Sequence, residues 1–355
     1  MAYTEIDDPS AYFQCMLYTG TRANLNVTFD GNSDMSPNLV WVKDRTNTNN
    51  QIMFDSVRGI NKAILPNAAN AETTYTDSVT AFNSDGFTLG DDDEGQCNVD
   101  GNACASWNWK AGTSFTNDAS GTGIGSIDSA GSVNQDAGFS ICTFTGTGSA
   151  GTIKHGLNTV PKMIIVKGRS EAKAWTVYHS ALGAGKSMAL ATTAAAVTNS
   201  TYWGGTEPTS SVFSTGSSTN VSGNNITIVA YCFAEKKGYS KFGSYVGNGN
   251  ASGTYVHLGF KPAFVMVKRS SGTGHWMMLD NKRSASGGFN VLGERLKANA
   301  TDAGATDVYM DFLASGFKLR NTATSWNASG STYIFMAFAE NPFVTGSSGI
   351  PTTAR

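Results

Sequence analysis

Few stretches of this chain carry residue types that could do chemistry. Gly183-Ala184-Gly185-Lys186-Ser187 has the ending of a phosphate-cradling loop, where glycines let backbone amides approach an anion and a lysine meets its charge. The complete pattern needs another glycine at position 180, which is Ser180, so the stretch reads as a glycine-rich connection. Asp91-Asp92-Asp93-Glu94-Gly95 offers the oxygen ligands that calcium takes. Its spacing fits no EF-hand loop, and it reads as a solvated hairpin tip. His155, His179, His257 and His275 each stand without a second histidine at ligand spacing. Asp55 and Asp280 occupy corresponding places, but His179 takes that place in the middle of the chain, which reads as structure and not as a pair of catalytic acids. The expectation is therefore no catalytic residue, no cofactor-binding residue and no metal ligand.

The elements around these residues are written three times. An aromatic strand ends at Tyr18-Thr19-Gly20, Phe144-Thr145-Gly146 and Tyr245-Val246-Gly247. An apolar run then opens on Pro37, Pro161 or Pro262 and closes on Lys43 and Arg45, Lys167 and Arg169, or Lys268 and Arg269. An Asn-x-x-Gly turn follows at Asn98, Asn220 and Asn327, ahead of another aromatic run. Self-similarity at this period marks a module built three times. Recurrence assigns the Lys and Arg a structural task, with long stems over apolar surface and charges left wet. Recurrent carbohydrate contact is the competing reading for them. Trp107, Trp109, Trp203 and Trp326 lie near turns or strand ends and are of the type that stacks on sugars.

The apolar runs are short, β-branched and aromatic, as in Ile226–Phe233 and Tyr333–Phe338, which predicts strands. Phe82–Leu89 and Phe312–Leu319 read as strand, glycine turn, strand. Helix is expected only at Lys186–Val197 and Leu292–Ala303. The fold class is all-β: three tandem antiparallel β-sandwich units of concanavalin/SPRY-like or jelly-roll type. The expected boundaries are a leader 1–12, unit one 13–111, a Gly/Ser-rich linker 112–138, unit two 139–238, unit three 239–343 and a polar tail 344–355. In the linker only Phe115, Ile124, Ile127 and Val133 are apolar anchors. With no linker between them, units two and three are expected to pack as a pair, with unit one apart.

Composition narrows the function. Charged residues make up 15% of the 355, against roughly 25% in an average soluble protein, so Ser, Thr, Asn and Gly must cover the surface. The net charge is −2 and no basic tract exists, which argues against nucleic acid. No run of 18 apolar residues occurs, so no membrane insertion is expected. The five cysteines, Cys15, Cys97, Cys104, Cys142 and Cys232, are odd in number and form no C-x-x-C, and they read as small buried residues.

Several stretches resemble a repeat widespread in structural proteins of marine tailed phages. They are Phe54-Asp55-Ser56-Val57-Arg58-Gly59, Ser84–Gly90, Trp107–Gly112, His155-Gly156-Leu157 with Pro161–Lys167, Tyr231–Glu235 and Ala337–Phe343. The resemblance implies a lectin-like sandwich in a tail-fibre or appendage protein, with no catalytic residues and no cofactor. The expected function is thus a bacteriophage virion structural protein that binds host-surface glycan and is not an enzyme. A capsid decoration or cement protein is the alternative, and a glycan depolymerase the third reading. The expected partners are other virion proteins, host surface polysaccharide and sister subunits in a homo-oligomer, a trimer. The expected location is the virion, after assembly in the host cytoplasm.

Overall fold

The computed structural model describes residues 4–283 and 290–345. It is all-β, with sandwiches of antiparallel sheets and only single helical turns at Pro9–Ala11, Ala119–Thr122 and Thr219–Ser222. One strand order occurs three times. In the first large sheet Phe13–Thr19, Ala103–Trp109, Leu39–Asp44 and Gln51–Asp55 lie side by side. In the second, Phe139–Thr145, Thr227–Ala234, Pro161–Gly168 and Thr176–His179 do the same. The third repeats it with Ser240–Val246, Thr332–Pro342, Phe260–Arg269 and Trp276–Asp280. The Pro-to-Lys run is thus an inner strand each time.

Alternation along these strands explains why they are buried on both faces. Val40, Val42, Ile52 and Phe54 face a small outer sheet of Leu25–Val27, Phe87–Leu89 and Val79–Phe82 and share a core with it. Leu39, Trp41, Met53, Trp107 and Trp109 point the other way, into a core shared by all three large sheets. Ile165, Tyr231 and Phe233 enter that core from the second sheet, and Phe264, Met336 and Phe338 from the third. The rings of Trp109, Phe233 and Phe338 occupy equivalent places, with centroids 5.7, 6.1 and 6.1 Å apart. They form a near-equilateral triangle on a pseudo-threefold axis.

Polar contacts run around this axis in one direction. The eighth residue after each repeated lysine reaches into a neighbour. Trp175 Nε1 donates to Leu65 O (2.8 Å), Trp276 Nε1 to Ala189 O (2.9 Å), and Gln51 Nε2 to Lys297 O. Backbone bonds follow the same cycle: Glu72 N to Arg169 O, Ala196 N to Ser270 O and Gly304 N to Arg45 O. The three sheets close on one another as a ring. The expected pairing of 139–238 with 239–343, leaving 13–111 apart, is therefore replaced by three comparable junctions.

Other expectations change as well. The stretch 112–138 is no linker. Thr113–Asn117 and Ser129–Asn134 form a hairpin that extends the second large sheet by two strands. Glycine is required at 131, where a Cβ would sit 2.1 Å from Ile141 O. Residues 4–12 of the expected leader pack on the fold, where Ile6 joins the central core and Thr4 bonds Lys237 O. The tail lies outside the described residues from position 346 on. Where helix was expected, Lys186–Ala189 and Leu292–Lys297 are strands, because edge pairing with Thr176–His179 and Trp276–Asp280 overrides local propensity.

The asparagine turn needs a shift of register in the second repeat. Gly101 and Gly330 donate to Gly20 O and Gly247 O with positive φ, and Asn225 does this at Gly146 O. The turn there is Ser222 to Asn225, so Ser222 and not Asn220 matches Asn98 and Asn327. Asparagine tolerates the left-handed region that the turn demands, so it replaces the glycine.

Phe233→Ala should destabilise the whole protein by about 3–5 kcal/mol, the usual cost of emptying a large aromatic site. Urea unfolding followed by tryptophan fluorescence and by circular dichroism should give one coincident transition. Separate transitions for parts of the chain would contradict a shared core.

Candidate functional site

The repeated lysines are committed to the interior, while Arg45, Arg169 and Arg269 are half-buried. Lys43, Lys167 and Lys268 are fully buried, contrary to the expectation of wet charges, and so cannot contact carbohydrate. Each ammonium is held by backbone carbonyls. Lys43 Nζ donates to the carbonyls of Asp44, Asn47 (3.1 Å) and Asn49 (2.9 Å). Lys167 reaches Ala69 O (3.0 Å) and Lys173 O (2.8 Å), and Lys268 reaches Thr193 O, Ala194 O and Arg269 O. Burial pushes all three down from 10.5 to about 8.

Asp55 and Asp280 are likewise internal. Each pairs with the arginine three residues on, Arg58 (2.5 Å) and Arg283 (2.7 Å), and accepts a bond from another sheet. The donors are Tyr231 Oη (2.6 Å) and Trp107 Nε1 (2.9 Å), which occupy equivalent positions. The third member of that position is Met336, which has no donor, and there His179 Nε2 donates instead to Phe335 O (3.1 Å). His179 Nδ1 accepts from Ala181 N, which fixes the tautomer. His155 is arranged the same way between Leu157 N and Thr209 O. Burial lowers both histidines to about 4.

The remaining sequence candidates separate. The Gly183–Ser187 loop spends its Ala184 amide on Glu207 (2.7 Å). Asp92 is buried and pins its loop by accepting from Ser78 Oγ, Cys97 N and Asn98 N. Asp77, Asp91 and Asp93 bring carboxylate oxygens within 4.8 Å of one another at the surface. Trp107, Trp109, Trp203 and Trp326 are all buried, so none offers a sugar-stacking face. All five cysteines are free and buried.

Sequence reasoning missed a wide concave surface beside the second large sheet. The hairpin added at 113–134 forms one wall of an open groove of about 890 Å³. Thr116, Asp118, Ser126 and Asp128 line that wall, with Thr145, Thr147, Asn224, Asn225 and Thr227 opposite. These nine side chains are exposed, whereas Ile127 and Phe144, also at the groove, are buried in the second sandwich core. The hairpin is held rigid. Asp118 caps the turn Ala119–Thr122, Asp128 accepts from Ala119 N (2.8 Å), and Asn117 Nδ2 bonds Ile124 O (2.9 Å). Arg169 borders the groove with its guanidinium bound twice to Glu72 (2.8 and 3.0 Å), so its charge is already matched. The signal in the sequence was the set of apolar anchors, since Ile127 and Val133 are buried in the second sandwich core and Phe115 packs against it.

Sandwiches fused around one core, with a polar groove on one of them, define an all-β protein of β-sandwich build. The family described as Domain of unknown function (DUF7483) matches residues 8–342, and the chain belongs to it. That match spans all three large sheets. No curated protein and no solved structure matches the chain. Among the described residues, no helix is long and apolar enough to cross a membrane.

The buried bases set a pH dependence. Below pH 6.5 the unfolded chain protonates His155 and His179 while the fold keeps them neutral down to about 4. Each should therefore remove up to about 3 kcal/mol of stability as pH falls through that window. The lysines act in the same sense at higher pH. Between about 8 and 10.5 the unfolded chain holds protons that the fold releases, so stability rises with pH there. Above 9 the buried thiols of Cys15, Cys97 and Cys232, pushed well up by burial, oppose this. Urea titrations should show stability rising from pH 5 to a maximum near 9. Lys268→Met should flatten the rise between 8 and 9 by about 1 kcal/mol. A wild-type stability that falls from pH 8 to 9 would contradict the buried cations.

Proposed function

We propose that this chain is a structural protein of a tailed-phage virion, a tail-fibre or appendage component that binds host-surface glycan and performs no turnover. The observation that carries the glycan reading is the groove beside the 113–134 hairpin. Its walls present hydroxyl and amide groups at many points and two carboxylates, Asp118 and Asp128, that accept hydrogen bonds, with Arg169 already neutralised by Glu72. Such a surface exchanges hydrogen bonds with sugar hydroxyls at little desolvation cost, and its openness admits a chain passing through. The resemblance of the repeats to phage structural proteins, and the low surface charge, support the virion setting. In that setting the chain assembles in the host cytoplasm and ends in the particle.

A capsid decoration protein is the second reading, favoured by one observation. The described chain closes into a ring with its leader folded against it, and has no shaft. The partner would then be the major capsid protein. In either setting a homotrimer would form through outer surfaces, because the central faces are already filled within one chain. Native mass spectrometry tests that assembly, and a purely monomeric spectrum counts against it.

Binding of the purified chain to host polysaccharide should weaken about tenfold or more in Asn225→Gly with Thr145→Ala, with little change in melting because glycine keeps the positive φ of residue 225, reflecting a lost pair of hydrogen bonds. Equal binding by the variant would remove the groove from the reading. Cryo-EM of the particle separates tail from capsid, and release of reducing ends from the polysaccharide would reinstate a depolymerase.

A further inference from the structure

The three junctions around the pseudo-threefold axis are not equal, and the inequality creates a second concavity. On the first strand of each large sheet, Cys15, Ile141 and Phe242 stand opposite Trp107, Tyr231 and Met336 and point into the central core. Where the third sheet meets the first, the smallest of these, Cys15, lies beside a pocket of about 290 Å³. The residue that follows the Asp55, His179 and Asp280 position also differs. It is Ser56, Ser180 and then Asn281, whose amide lines this pocket. Asn281 Oδ1 is buried and finds no partner among the described residues. A buried acceptor left unpaired is costly, so a hydroxyl or amide donor would be favoured there.

The charged groups at the pocket are matched internally. Lys282 Nζ bonds both carboxylate oxygens of Asp30 at 2.8 Å, and Glu340 pairs with Lys261 at 2.8 Å. No unpaired charge remains among these groups to select an ion. What they present is a collection of carboxylate and amide acceptors with a lysine donor, over an apolar base that includes Phe13 and Cys15. That combination suits several hydroxyls on a compact carbon frame. The volume is at the low end of the ~300–1,000 Å³ of drug-sized sites, so it takes one sugar residue and not a chain.

We propose that the Cys15–Asn281 pocket, at the junction of the third and first large sheets, is a binding site for a single neutral sugar residue. It goes beyond the groove reading and does not depend on it, since no residue is shared between the two. Cys15→Ile fills the pocket with the side chain that the second sheet already carries at this position. Asn281→Ala removes the unpaired acceptor and leaves the central core alone.

Saturation-transfer NMR on the full chain with glucose, galactose, rhamnose and N-acetylglucosamine, each alone, tests the site. At least one sugar should show transfer, and both variants should weaken its affinity about tenfold or more, the worth of one or two hydrogen bonds. The groove variant Asn225→Gly should keep the signal. Absence of transfer from all four sugars overturns the proposal. So does a signal that survives both Cys15→Ile and Asn281→Ala. A signal lost in Asn225→Gly alone also overturns it, and leaves the groove reading standing. If Cys15→Ile fails to fold, as judged by its thermal melt, Asn281→Ala decides alone.

Discussion

Trp109, Phe233 and Phe338 meet at the centre of the molecule, and the rest of the structure depends on that contact. A sandwich has two sheets and buries one face of each. Here the large sheets bury both faces, and the second face has no partner within its own sandwich. Only mutual packing of all three can remove those aromatics from water. The burial of three large rings favours association strongly but does not by itself fix orientation.

Orientation comes from the polar contacts. Trp175, Trp276 and Gln51 each donate to a carbonyl of the neighbouring sheet, and Tyr231 and Trp107 each donate to a buried carboxylate. These bonds are directional, and losing one partner strands a buried group. The caged lysines serve the same end at a cost in solvation. Lys167 and Lys268 tie loops of the adjoining sheet by their carbonyls, so their charge is retained inside for geometry.

Variation in the frame produces the concave surfaces. The hairpin at 113–134 is present only beside the second large sheet and makes the groove. Cys15, in place of the bulkier Ile141 and Phe242, accompanies the junction pocket. Both arise where the copies differ, whereas the recurrent residues are spent on folding. A search for function in the recurrent lysines, or in Asp55 and Asp280, would therefore look at the interior.

By itself the sequence determined the β class, the inner Pro-to-Lys strands and the Phe82–Leu89 and Phe312–Leu319 hairpins. Alternation, β-branching and turn glycines are local properties, and they suffice for these elements. Tertiary structure decided what local pattern cannot encode. Burial of Lys43, Lys167 and Lys268 depends on carbonyls brought from distant loops. The withdrawal of Trp107 and Trp109 from the surface requires two other sheets. The stretch 112–138 looked like a linker because few of its residues are apolar, and only the free edge at Phe139–Thr145 turns its backbone into strands. Ser222 replaced Asn220 in the turn because hydrogen bonds to Gly146 and Gly148, and not residue type, define that position. The groove and the pocket were invisible for the same reason: each is a space between segments far apart in the chain, made by packing that no single stretch specifies.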